Sequence, residues 1–165
     1  MKILLCLALF AFPLCFLPTQ SQATVPIATV AEAYLDAYAA LDFERLETYW
    51  TDASVWQDPT GAEIGASPAP VTGADAIRTY LKAATNGIDK LELTIDERFH
   101  SADHVVHVGT LRYTLDGAVM GAPGKTVPFE FRTVIVLVIE DGKVLRHTDL
   151  ADFRDWRQQL ADGVR

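Results

Sequence analysis

The sequence predicts an α+β domain: a cone-shaped, curved antiparallel sheet packed on three N-terminal helices. Two observations carry this. Helix-spaced apolar residues crowd the stretch from position 27 to 84, and after Gly87 the pattern switches to strand-like alternation broken by short turns. Helices first and a meander last curl the sheet around the helices. The open end of such a cone is a pocket.

The elements follow in order. Ile27, Val30, Tyr34, Tyr38 and Leu41 recur every three to four residues and predict the first helix, with Pro26 suited to its first turn. Phe43, Leu46, Tyr49 and Trp50 mark a short second helix. VWQDPTG, residues 55–61, reads as a strand running into a turn, and AEIGASPAP as a loop. Thr72-Gly73-Ala74-Asp75 resembles a capping box with Asp in place of Glu. It opens a third helix carrying Ile77, Leu81 and Ala84, which Asn86-Gly87 stops.

Leu91, Leu93 and Ile95 then alternate with Glu92, Thr94 and Asp96, the mark of a half-buried strand. Ser101-Ala102-Asp103 turns the chain into a strand over His104–Leu115, which Asp116-Gly117 ends. GAPGK reads as a flexible connection. Val127–Ile139 finishes in the nearly continuous apolar run TVIVLVI, expected of a strand covered on both faces. Glu140-Asp141-Gly142 leads into a last strand over Lys143–Asp152, and DWRQQL closes as a short helix.

Residues 1–23 have the layout of a secretory signal peptide: Lys2, an apolar run from Ile3 to Leu17, then a polar stretch ending Ser21-Gln22-Ala23. The apolar run is about 15 residues, short of the ~20 a membrane span needs. The expectation is a secreted or periplasmic domain over residues 24–165, with no membrane span once the leader is cleaved. Cys6 and Cys15 both lie in the leader, so the remaining chain folds without a disulfide. The formal charge is −8, and Lys2 is the leader's one charged residue. An acidic surface without a basic patch argues against nucleic acid as a partner.

Strand parity gathers the candidate residues. Leu145, His147, Asp149 and Ala151 share one face of the last strand; Val105, His107, Gly109, Leu111 and Tyr113 share one face of the middle strand. If these faces line the cone, Asp58, His107, His147 and Asp149 converge among Tyr34, Trp56 and Tyr113. Asp58 is then either a pocket carboxylate or the cap of the Pro59-Thr60-Gly61 turn. Gly109 makes room for a ligand or marks a β-bulge. His100, His104 and His107 are scattered by strand and turn, so no metal site is expected, and no cofactor motif is present.

Three stretches together resemble the SnoaL-like and ketosteroid-isomerase-like branch of the nuclear-transport-factor-2-like superfamily: AYLDAYAALDFERLETYWTDASVWQDPTG, VTGADAIRTYL and PGKTVPFEFRTVIVLVIEDGKVLRHTDLADF. The branch includes isomerases, cyclases, epoxide hydrolases, dehydratases and members without catalysis. The resemblance implies a general base at Asp58 and a phenolic donor at Tyr34. The isomerases' third group, a neutral carboxylic acid, would fall on Val134, a departure that leaves this position as pocket wall. His107, Gly109 and Leu111 stand where the epoxide hydrolases carry an arginine and an aspartate. The cyclases' acid–base aspartate corresponds to Asp149, with Asp152 as its rival. The resemblance also implies a homodimer.

The chemistry this set permits is cofactor-free proton transfer on a small hydrophobic molecule. Asp58 and Asp149 handle protons, Tyr34, His107 or His147 donates to a developing oxyanion, and Trp56, Tyr113 and Val134 shape the pocket. The alternative is a small-molecule-binding or dimeric accessory protein of the same fold, without turnover.

Overall fold

The computed structural model describes residues 25–66 and 69–163; the expected leader over residues 1–23 lies outside them. Helices α1 (Ile27–Ala39) and α2 (Phe43–Glu47) lead into strand β1 (Val55–Gln57) and a 3₁₀ turn over Pro59–Ile64. Strand β2 (Val71–Thr72), helix α3 (Ala74–Ala84) and strands β3 (Ile88–Ser101), β4 (His104–Asp116), β5 (Thr126–Glu140) and β6 (Lys143–Ala151) follow. Helix α4 (Phe153–Gly163) closes the described chain.

One six-stranded sheet, in the order β2-β1-β6-β5-β4-β3, carries the fold. The β3–β6 meander is antiparallel throughout. The sheet is nevertheless mixed, because β1 runs parallel to β6, with Trp56 opposite His147. A second difference concerns the start of α3. Thr72 is held in β2 opposite Val55, and Gly73 with φ +94° is the N-cap, without a side-chain cap. The capping box does not form because the backbone that would carry it is already engaged in a strand.

Two apolar clusters hold the domain together. In the first, Val30, Tyr34, Leu35 and Tyr38 of α1 and Ile77 and Leu81 of α3 pack on Ile135, Leu137 and Ile139 of β5. In the second, Val127, Phe129 and Phe131 of β5 pack with Leu115 of β4 and with Trp156 and Leu160 of α4. Phe129 and Trp156 stack with ring centroids 5.0 Å apart. Strict alternation along β5 sends every second residue from Val127 to Ile139 inward, so one strand supplies both clusters.

Gly109 marks a bulge rather than room for a ligand. It pairs with Ile95, where the β3–β4 register shifts between Ile95 and Glu97. A Cβ at position 109 would lie 2.2 Å from the carbonyl oxygen of Thr94, well inside van der Waals contact. The backbones approach too closely there for any side chain.

Candidate active site

The two clusters do not meet everywhere. Between them lies a cavity of about 280 Å³, walled by Tyr38, Trp56, Leu81 and Ile135 from one side and by Tyr113, Phe131 and Phe153 from the other. Asp58 and Asp149 both reach its wall.

Asp58 sits where β1 gives way to the 3₁₀ turn, and it answers both readings of its sequence context. Its Oδ1 caps the turn, accepting from the backbone N–H groups of Thr60 and Gly61 at 2.9 Å each and from the Thr60 hydroxyl at 2.5 Å. The same hydroxyl accepts the N–H of Ala151 at 2.9 Å, tying the turn to the end of β6. Burial raises the Asp58 pKa, the hydrogen bonds oppose the rise, and the neighbouring Asp149 charge adds to it; the net direction is up.

Asp149 ends a buried hydrogen-bonded chain. Its Oδ1 accepts from His147 Nε2 at 2.8 Å and its Oδ2 from the Tyr38 hydroxyl at 3.2 Å. His147, 1% exposed, lies two residues back on the same face of β6. Its Nδ1 is 2.8 Å from the Tyr34 hydroxyl, which also receives Trp50 Nε1–H at 3.4 Å. An ionised Asp149 only accepts, so Nε2 carries the imidazole proton and Nδ1 accepts from Tyr34. Burial pushes the phenols of Tyr34 and Tyr38 well above their ordinary range, keeping both as donors. Every polar atom of the chain is then used in one consistent direction.

Trp56 stacks obliquely on Tyr80 with centroids 4.7 Å apart, and its buried indole N–H has no partner among the described residues. Tyr113 takes a hydrogen bond from Trp156 Nε1 at 2.6 Å, and burial pushes its pKa up to about 12.

Of the residues expected to converge, Asp58, Asp149, Trp56 and Tyr113 line the cavity. Tyr34 and His147 stand behind Asp149 and reach the cavity through it. His107 does not join them. It is covered by α1 and lines a separate crevice of about 90 Å³ with Glu32, Leu35, Asp36 and Arg98, and neither ring nitrogen has a partner among the described residues. Val134 falls on the other face of β5, paired with Leu150 and Val108; Thr133 and Ile135 face the cavity instead. Tyr38, Tyr80 and Thr60 complete the site without having been singled out. Tyr38 lies four residues after Tyr34 on the same helix face, which was its available signal.

Among the described residues, no group of three or more His, Cys, Asp or Glu side chains is placed to hold a metal ion.

Comparison with known proteins gives a family. No curated protein matches the chain significantly. A SnoaL-like protein of Shewanella putrefaciens CN-32, assigned as a polyketide cyclase, superposes with a TM-score of 0.74 at 26% identity, covering 83% of this chain and 98% of that one. TerC, crystallised with polyporic acid, gives 0.65 at 20% identity over 83% of this chain and 99% of its own. An LEH-like epoxide hydrolase of M. tuberculosis gives 0.64 at 20% identity, covering 84% and 91%. The sequence profile of the SnoaL-like domain matches residues 31–147, and this chain belongs to the SnoaL-like family, with the nuclear-transport-factor-2-like fold of its structural neighbours.

Proposed function

We propose that the protein is an acid–base catalyst acting on a small hydrophobic molecule, in a reaction of the isomerase, cyclase or lyase type. The observation that carries this reading is the presence of two carboxylates, Asp58 and Asp149, on the wall of one apolar cavity. Asp149, backed by His147 and Tyr38, takes a proton from carbon beside a carbonyl. The electron pair moves onto the carbonyl oxygen, and the donor we assign to it is the Trp56 indole N–H, which is buried and has no partner among the described residues. Asp58, whose pKa is raised, returns a proton. Small-molecule binding draws further support from TerC, a neighbour crystallised with polyporic acid.

The test is solvent deuterium incorporation, followed by NMR, into small enones, lactones and aryl ketones. Exchange that disappears in Asp149→Asn and slows by ~10-fold or more in Trp56→Phe supports the reading. Exchange indifferent to Asp149→Asn removes it.

A binding protein without turnover is the second reading. It is favoured by the inward-facing pair Thr133 and Ile135, which supplies no third acid. Binding of the same compounds without exchange would establish it.

Export to the periplasm or beyond belongs to the proposal, on the strength of residues 1–23. So does a homodimer, since the outer sheet face presents Val106, Val108, Val134, Val136 and Val138 half-buried and Leu150 exposed. Light scattering on the purified protein decides the dimer.

A further inference from the structure

The charge on the cavity wall is one-sided. Asp58 and Asp149 face the cavity, and no lysine, arginine or histidine is among its described lining residues. The rest of the wall is rich in π-faces: Trp56, Tyr80, Tyr113, Phe131 and Phe153. Two of these rings, Trp56 and Tyr80, pack obliquely on each other with centroids 4.7 Å apart.

Two ionised carboxylates in an apolar hollow repel each other and have lost hydration; a cation between them relieves both costs. Ring faces carry negative charge density and add to the attraction for a cation with apolar substituents. Burial chiefly, with the charges of Asp58 and Asp149 adding to it, raises the phenol pKa values of Tyr38 on α1 and Tyr80 on α3. A formal charge of −8 draws cations toward the protein at long range. An anion entering here would meet two like charges and find no side chain to neutralise it.

We propose that the cavity takes an apolar organic cation, a protonated or quaternary amine bearing a hydrophobic group, in preference to a neutral or anionic molecule of the same shape. The inference rests on the reading of this cavity as the ligand site and names the class of molecule it takes. With an ammonium group against Asp58, proton transfer falls to Asp149.

The test is isothermal titration calorimetry of the purified protein with three probes of similar size: benzyltrimethylammonium, phenylacetone and phenylacetate. One cation per chain is expected to bind at least ~10-fold more tightly than phenylacetone, with no binding of phenylacetate. Rising salt should weaken the cation, and Asp58→Asn and Asp149→Asn should each weaken it by ~10-fold more than they weaken phenylacetone. Asp58 also caps a turn, so if Asp58→Asn fails to fold, Asp149→Asn and the salt series decide. Phenylacetone binding as tightly as the cation, any phenylacetate binding, or cation binding untouched by both variants overturns the inference. The two readings separate cleanly. Phenylacetone bound and deuterated without cation binding removes this inference and keeps the catalytic reading; cation binding without exchange on any carbon acid does the reverse. Silence from all three probes removes this inference, and the catalytic reading is then decided by deuterium exchange alone.

Discussion

Asp149 and His147 lie two residues apart on one strand, and the histidine's Nε2 donates to the carboxylate at 2.8 Å with both side chains buried. Side chains two apart on a strand share a face, and here that proximity does more than pack. The imidazole's other nitrogen is fixed by Tyr34, so the ring cannot turn away. The aspartate is a held group, with its orientation set from behind.

His147→Phe tests that support. The change leaves the fully buried Tyr34 hydroxyl without its acceptor and Asp149 without one donor. The expected loss is ~1–3 kcal/mol of stability per orphaned group, with exchange activity falling by ~10-fold or more. Urea unfolding and deuterium exchange measure the two. An unchanged unfolding midpoint would show that the chain of hydrogen bonds carries no load.

Thr60→Val removes a hydroxyl that both donates to Asp58 and accepts from Ala151. Its hydrogen bond lowers the Asp58 pKa against the rise caused by burial, so its loss moves that pKa further up. Carboxyl NMR titration should show the increase, accompanied by a loss of ~1 kcal/mol in stability. A static or falling Asp58 pKa contradicts the assignment.

His107 predicts how the fold responds to acid. Burial, with the nearby Arg98 charge, holds its pKa down at about 4, against 6.5 for an ordinary histidine. Between those values the unfolded chain binds a proton that the folded chain refuses. The histidine's contribution is therefore fully present above pH ~6.5, is lost as pH falls toward 4, and changes no further below, with a slope of at most ~1.4 kcal/mol per pH unit. Asp58 works in the opposite sense, because its raised pKa makes the folded state take up the proton first. His107→Leu should flatten the histidine's part of the curve and leave stability at pH 7 equal or higher, since two unpartnered polar atoms are removed. Denaturant midpoints from pH 4 to 7 for both proteins measure it. Parallel curves would rule out the assignment.

Gly109→Ala forces a methyl group toward the Thr94 carbonyl oxygen. Backbone on both strands has to shift, at an expected cost of ~1–3 kcal/mol. Equal unfolding midpoints for the variant and the parent would show that the bulge yields freely.

The alternation of Leu91, Leu93 and Ile95 and the helix spacing of Ile27, Val30, Tyr34 and Tyr38 are local patterns, and they read correctly. The apolar run of β5, expected to be covered on both faces, instead alternates between buried residues and the half-buried Val134, Val136 and Val138. The shared face of His147 and Asp149 also follows from local parity. Three features depend on distant pairings. The parallel match of β1 with β6 joins residues about ninety positions apart, and nothing within either segment encodes its direction. The lie of α1 across the sheet decides that His147 backs the cavity while His107 is sealed beneath the helix. Val134 lies on the outer face, because a strand side chain one position from an inward-facing residue turns to the opposite side. Thr133 and Ile135, its neighbours, are the ones that look inward.

The hollow between the two apolar clusters has a mechanical consequence. β5 crosses it, with Ile135, Leu137 and Ile139 anchored in one cluster, Val127, Phe129 and Phe131 in the other, and Thr133 at the gap. Without an occupant, α4 and the far end of β5 can open as a unit separate from α1 and α3, so amide protons on either side of Thr133 should exchange at different rates. A bound molecule touches both clusters at once and welds them into a single cooperative block. Occupancy would then register as a uniform slowing of exchange along the whole of β5, far from the carboxylates themselves.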